Sequence, residues 1–288
     1  MQSKHISLAD IIIYTIVSLI SLISVAPFIY VVSISLTDPS VYVPYKLYLI
    51  PDKISFSSYS YILSTPSFIS AIKNTIIITV LGTVLNIVFT FTMAYGLTKK
   101  EMPHRGLVMG VVIFTLLFSA GIVPNYLLVK SLGLMNSYWA LILPALTNSW
   151  MLIIAKSFID ALPVELEESA KIDGCNEIGI FIRIIMPLSK ASVATLTLFF
   201  AVFHWNTYFT ALIYLNDADK QTLQVYVKSL LIDASTGAGD KGLADLLNLP
   251  SETVRMATVV LAMAPIMAVY PFVQRYFIKG VMLGSIKG

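Results

Sequence analysis

Few side chains in this 288-residue chain have the types and spacing that covalent chemistry needs. The three histidines, His5, His104 and His204, are far apart, and the single cysteine, Cys175, has no second thiol, so neither a zinc site nor a disulfide is offered. No nucleophile stands with a base and an orienting group. Gly237 and Gly242 have the spacing of a phosphate loop, but Leu243 and Ala244 follow where Lys and Ser or Thr are required, so they are not read as a nucleotide site. What remains is hydrogen bonding and charge. Asn86, Thr90, Thr92, Thr147, Asn148, Ser149, His204, Asn206, Thr207 and Tyr208 are neutral polar groups embedded in apolar runs. They can bind a hydroxylated solute, with Trp205 or Tyr208 as a flat apolar face, or they can join helices to one another. The candidate solute-pathway residues are Asn148, His204, Trp205, Asn206 and Tyr208. For His204 alone, an interhelical bond is the stronger reading.

The elements that must position these groups are membrane helices. Apolar residues make up 57% of the chain and charged residues 12%, against about 25% charged in an average soluble domain. Six stretches approach the ~20 apolar residues that cross a bilayer. They run near Ile11 to Leu36, Asn74 to Leu97, Leu107 to Val129, Tyr138 to Ala155, Ala191 to Leu215 and Met256 to Phe272, with Gly121, Pro124, Pro144, Pro265 and Pro271 interrupting them. The first run is too long for a cleaved signal and is expected to stay as an anchor. Basic residues in short links (Lys99, Lys100, Arg105; then Arg275, Lys279, Lys287) place the termini inside, and the longer segments Thr37 to Lys73 and Asn216 to Arg255 outside. The six runs hold no Asp, Glu, Lys or Arg, so the ionisable groups of a proton- or ion-driven carrier are missing. The net charge of +3 is too small an excess to suggest nucleic acid as a partner. GxxxG spacings at Gly106/Gly110 and Gly280/Gly284 fall at span ends, where they are read as turns.

Between the fourth and fifth runs lies DALPVELEESAKIDGCNEIGIFIRIIMPLSKAS, from Asp160. Pro163 and the acids Glu165, Glu167 and Glu168 suit a helix start, Gly174 a left-handed stop, and Pro187 the end of a second helix from about Asn176. This predicts a helix-turn-helix elbow at the membrane surface. Its apolar positions, Leu166, Ala170, Ile172, Ile178, Phe181, Ile182 and Ile185, are too many for a solvated loop; a partner's groove or the span ends could cover them, the other reading being an interfacial amphipathic helix with no partner.

Glu168, Ser169 and Ala170, then Gly174, Ile184 and Pro187, resemble the EAA signature of permease subunits of bacterial ABC importers, with matching spacing and Lys171 to Asp173 filling the first gap. Ser169, Met186 and Ala191 depart from the usual residues by small or volume-conserving changes. The DG pair at Asp173 and Gly174, with Pro187 and Leu188, is similar to the carbohydrate-uptake family. The ending from Gln274 to Gly288 is similar to its oligosaccharide branch.

The resemblance implies an all-α polytopic membrane protein with six transmembrane helices, the type I importer permease fold and both termini cytoplasmic. It implies one permease domain over residues 1–288, with its core at about 70–280 and the coupling segment at 160–190. The function implied is a subunit that moves a carbohydrate into a bacterial cell across the plasma membrane. It has no ATPase site and binds no cofactor: ATP and Mg belong to a separate cytoplasmic ATPase dimer. Partners would also include a second homologous permease, an extracellular solute-binding protein of lipoprotein type, docked on the external segments, and membrane lipids. Glu168, Ser169, Ala170, Asp173, Gly174, Ile184 and Pro187 would be the ATPase-coupling residues, with Ala170 permitting close approach and Asp173 capping the second helix. The open alternatives are an importer for a peptide or a charged sugar acid, and a scaffold or sensor that moves nothing.

Overall fold

A computed structural model describes residues 7–236 and 251–285, the side chains of 233–236 and 272–285 excepted. The expectations for Gly237 and Gly242, for residues 237–250 of the Asn216 to Arg255 segment and for the last residues of the Gln274 to Gly288 ending lie outside the described residues. The described chain is helical, with one isolated antiparallel bridge between Thr37 and Ile54. It divides into two compact units, residues 1–68 with 227–264 and residues 69–226 with 265–288.

In the first unit, α1 (Leu8–Ser35) is opened by a capping box in which Asp10 and Ser7 satisfy each other's backbone amides. Its first 22 residues are exposed, and Thr15, Ser21 and Ser24 turn their hydroxyls onto carbonyls four residues back at 2.8 Å. Hydroxyls satisfied within their own helix suit an apolar surround. After the Thr37 to Ile54 bridge comes α2 (Ser57–Ser64), whose Ser58 hydroxyl donates to Thr253.

The second unit is organised around α3 (Pro66–Thr98). The expected third, fourth and fifth runs are each broken rather than straight. The helices α4 (Arg105–Leu117) and α5 (Ile122–Ser131) meet at 119°, with Gly121 at φ +82°. The helical turns of α6 (Trp139–Ala145) and α7 (Ser149–Asp160) meet at 51° beside Pro144. After α8 (Glu165–Ile172), α9 (Glu177–Leu188) and α10 (Lys190–Trp205) meet at 82°. The fifth run therefore ends at Trp205, and its remainder forms a separate α11 (Phe209–Tyr214). It is followed by α12 (Leu223–Thr236) and α13 (Glu252–Ser285), which passes through Pro265 and Pro271. Among the described residues three helices are long and apolar enough to cross a membrane, or up to six crossings if each bent pair is one span.

Two apolar clusters hold the second unit. One, toward the elbow, gathers Phe91, Ala94 and Leu97 of α3, Leu152, Ala155 and Ile159 of α7, and Leu196 and Phe200 of α10. The other gathers Ile78, Val129, Leu141, Ile142, Ala211 and Tyr214. Among the described residues α3 alone contributes buried side chains to both, so it runs as a strut between them.

Candidate functional site

The elbow is built as its residues dictate. Gly174 adopts φ +81°, its N–H donates to Lys171 O at 3.1 Å, and the Cys175 N–H donates to Ala170 O at 2.9 Å. Those two bonds are a Schellman closure, which needs a left-handed residue after the helix. The next helix is capped by Asn176, whose side chain accepts from Gly179 N at 2.8 Å. This corrects the expectation for Asp173, which sits at the C-cap of α8 and does not cap α9, because Asn176 is the residue just ahead of the first free amides. The Phe181–Ile185 stretch is wound as π-helix just before Pro187.

The elbow's apolar residues sort into two faces. Ala170, Ile180 and Ile185 are buried in the cluster with α3, α7 and α10. At 5% exposure Ala170 permits close approach within this chain, where its small size serves the elbow's own seat. Ile172, Ile178 and Ile182 face outward, with Ile172 at 87% exposure. Glu168, Ser169, Asp173 and Gly174 are exposed beside them, Ile184 is half-buried and Pro187 exposed. An apolar ridge with charged shoulders is left uncovered.

A polar knot ties the inward face to α3. Lys99, one residue past the end of α3, pairs with Glu167 of α8 and, at 3.0 Å, with Glu177 of α9. Lys171 pairs with Glu177 at 2.9 Å, the Tyr95 hydroxyl donates to Glu177 at 2.7 Å, and the Lys99 ammonium lies 4.1 Å from the centre of the Tyr95 ring. Burial pushes the Lys99 pKa down, but bonds from Glu167, Tyr95 and Glu177 outweigh it and hold the ammonium above the ordinary lysine value. Lys171, then Tyr95, pull the Glu177 carboxyl down to about 2, against a smaller opposing effect of burial and with help from Lys99. Sequence reasoning missed this knot, because Lys99 was legible only as a charge orienting the chain. The signal that could have found it is the pairing of an isolated basic link with acids on both arms of the elbow.

The expected pathway residues do not form one site. The α3 stripe Thr79, Thr83, Asn86 and Thr90 has the spacing of a single helix face, and the Thr83, Asn86 and Thr90 side chains are buried. The Asn86 amide donates to Ala145 O and Leu146 O at 2.5 and 2.9 Å, the carbonyls freed where α6 stops. Its oxygen must then accept, so His204 Nε2 donates to it at 2.6 Å. His204 is 1% exposed and packs against Gly82, where any Cβ would meet the imidazole. Asn86 thus ties α3 to the end of α6 and, through the buried His204, to α10. Asn148 caps α7 by accepting from Met151 N at 3.1 Å, and Asn206 donates to Val202 O at 2.8 Å; both are exposed. Trp205 is buried and lines an apolar cavity of about 220 Å³ with Ile76, Val80 and Ile266, while Tyr208 is half-buried against the second cluster. Thr79 and Thr83 escaped notice because hydroxyls in an apolar run carry no pattern until the helix face is known.

On the segments expected outside, Asp217 pairs with Lys220 at 3.0 Å and accepts from Asn136, while Glu252 pairs with Arg255 at 2.8 Å. Asn74 donates to the carbonyls of Asp219 and Gln221 at 2.7 and 3.0 Å, pinning that loop to α3.

Comparison with known proteins accords with this architecture. The chain is 44% identical, over 98% of its length and 99% of the other's, to a polygalacturonan/rhamnogalacturonan transport system permease protein, YtcP, of Bacillus subtilis strain 168. It is 45% identical, over 92% of its length and 90% of the other's, to Protein LplC of the same organism. A chain in the crystal structure of a bacterial ABC transporter that imports the acidic polysaccharide alginate superposes with a TM-score of 0.87, at 30% identity, covering 96% of this chain and 99% of that one. The model of the binding-protein-dependent transport system inner membrane component family matches residues 7–282, and with its six apolar runs and its broken, helix-only spans the chain belongs to that family.

Proposed function

We propose that the chain is the permease subunit of an ATP-driven importer for oligosaccharides, with the elbow as its contact with a separate ATPase on the inner side of the membrane. The observation that carries this is the elbow itself: a left-handed Gly174 turn holding Ile172 and Ile178 outward while Ala170 and Ile185 seat it on the spans. A surface that small and apolar suits a complementary groove and does no chemistry of its own. On this reading ATP and Mg bind the partner ATPase, a second permease completes the pathway, and an external binding protein, here of lipoprotein type, delivers solute onto the outer segments. The helices are discontinuous near Gly121 and Pro144 and after Trp205, and discontinuous helices are the elements from which transporters build solute sites near the midplane.

The relatives' names favour an acidic oligosaccharide, since polygalacturonan and alginate both carry a carboxylate on their sugar units. The six apolar runs hold no Lys or Arg, so the second permease would supply a cation that meets those carboxylates within the membrane. Uptake by proteoliposomes holding the whole complex, with galacturonate and alginate oligomers set against neutral ones, tests this. ATP-dependent accumulation of the acidic oligomers is expected. ATP-driven uptake of peptides with no oligosaccharide uptake would refute the substrate reading, and no solute-dependent turnover with any solute would refute transport.

A further inference from the structure

The elbow touches the spans in two chemically different ways. Its apolar seat of Ala170, Ile180 and Ile185 is non-directional and does not by itself fix the direction in which a push on the elbow is passed on. Its polar tie is directional, and among the described residues every ion pair between the elbow and a span runs through Lys99. That ammonium bridges Glu167 on one arm and Glu177 on the other, across the Gly174 turn, and its own place at the C-terminal end of α3 is favoured by the helix dipole. The knot borders an open cleft of about 430 Å³ lined by Tyr95, Gly96, Lys99, Glu101, Lys171 and Glu177, so it is a set of discrete bonds beside water and not close packing.

We infer that Lys99 is a positioning residue that makes the two elbow arms and α3 one lever, so that a push on the elbow moves α3 instead of turning the elbow on its seat. Lys99 stands thirteen positions beyond Asn86 along α3 and its C-terminal end, about 20 Å of helix. Asn86 holds the break between α6 and α7 and the His204 imidazole, so the lever ends on the discontinuous spans. This rests on the reading of the elbow as the ATPase contact.

The test uses the complete transporter, two permeases, ATPase and solute-binding protein, in proteoliposomes, measuring solute uptake and ATP hydrolysis together. Lys99→Met keeps the length of the side chain and removes its charge. Expected is ATPase co-purification like wild type, uptake lowered by about tenfold while hydrolysis persists, and hence more ATP consumed per solute by the same factor. Lys99→Arg should restore the ratio to within about twofold, and the exchange Lys99→Glu with Glu167→Lys should recover part of it. An unchanged ratio in Lys99→Met overturns the inference while leaving the transport reading intact. So does parallel loss of uptake, hydrolysis and assembly that neither Lys99→Arg nor the exchange repairs, since that marks a purely structural role. A wild-type complex that carries no ATPase refutes the transport reading, and the lever falls with it.

Discussion

Gly174 holds φ +81°, and a Cβ there would meet nothing within 4 Å, so substitution acts on the backbone alone. A left-handed β-branched residue costs about 1–3 kcal/mol. Gly174→Val should insert and assemble normally yet hydrolyse ATP without proportionate uptake, and Gly174→Asn, whose side chain tolerates that conformation, should lose less. Parallel uptake and hydrolysis assays check this. The knot beside it has a defined pH window. The carboxyl of Glu177 titrates below its ordinary value of 4.5, so its contribution is whole above 4.5 and lost as pH falls toward about 2. Lys99 titrates above its ordinary 10.5, so its contribution is whole below 10.5 and lost as pH rises beyond it. With Glu177 half exposed, solvent screening keeps the energy of its pairs small. Difference infrared spectra against Glu177→Gln should show its carboxylate band persisting well below pH 4.5. Half-loss near 4.5 would mean that its bonds to Lys171, Tyr95 and Lys99 do not form.

At the scale of the element, the elbow was legible because its signals are local: acids at a helix start, glycine at a stop, proline at the next end. Which face turns inward was not, since Ala170 and Ile172 are both apolar and only the packing of α3, α7 and α10 decides between them. The exposed ridge makes a prediction of its own. Ile172→Glu should abolish co-purification of the ATPase while leaving the permease folded, because the side chain touches little of its own chain. Ala170→Leu should instead lower thermal stability by about 1–3 kcal/mol through overpacking of the seat. The breaks were legible only as candidates. Gly121 and Pro144 marked where two spans bend, but nothing in the Ala191 to Leu215 run announced that its helix stops at Trp205. Asn206 and Thr207 donate to the carbonyls of Val202 and Phe203, and such back-bonding polar residues compete with the helix only when tertiary contacts let them.

For the whole molecule, the six apolar runs hold no Asp, Glu, Lys or Arg, and on the proposed function the energy for transport enters from the chain's surface through a partner. α1 leaves most of its apolar surface uncovered by this chain, which suits lipid and a second permease. The polar stripe on α3, the broken spans and the elbow then lie along one mechanical route, from the surface ridge to the interior. The central claim is that this route begins at a contact between the elbow and an ATPase. Native Cys175 replaced by Ser, with Ile172→Cys as the only thiol, allows one direct measurement: thiol cross-linking in the assembled complex with and without ATP. The account predicts a cross-link from position 172 to the ATPase subunit whose yield changes when ATP binds. Labelling of that thiol by an impermeant reagent from outside intact cells, with no cross-link to the ATPase, would contradict it.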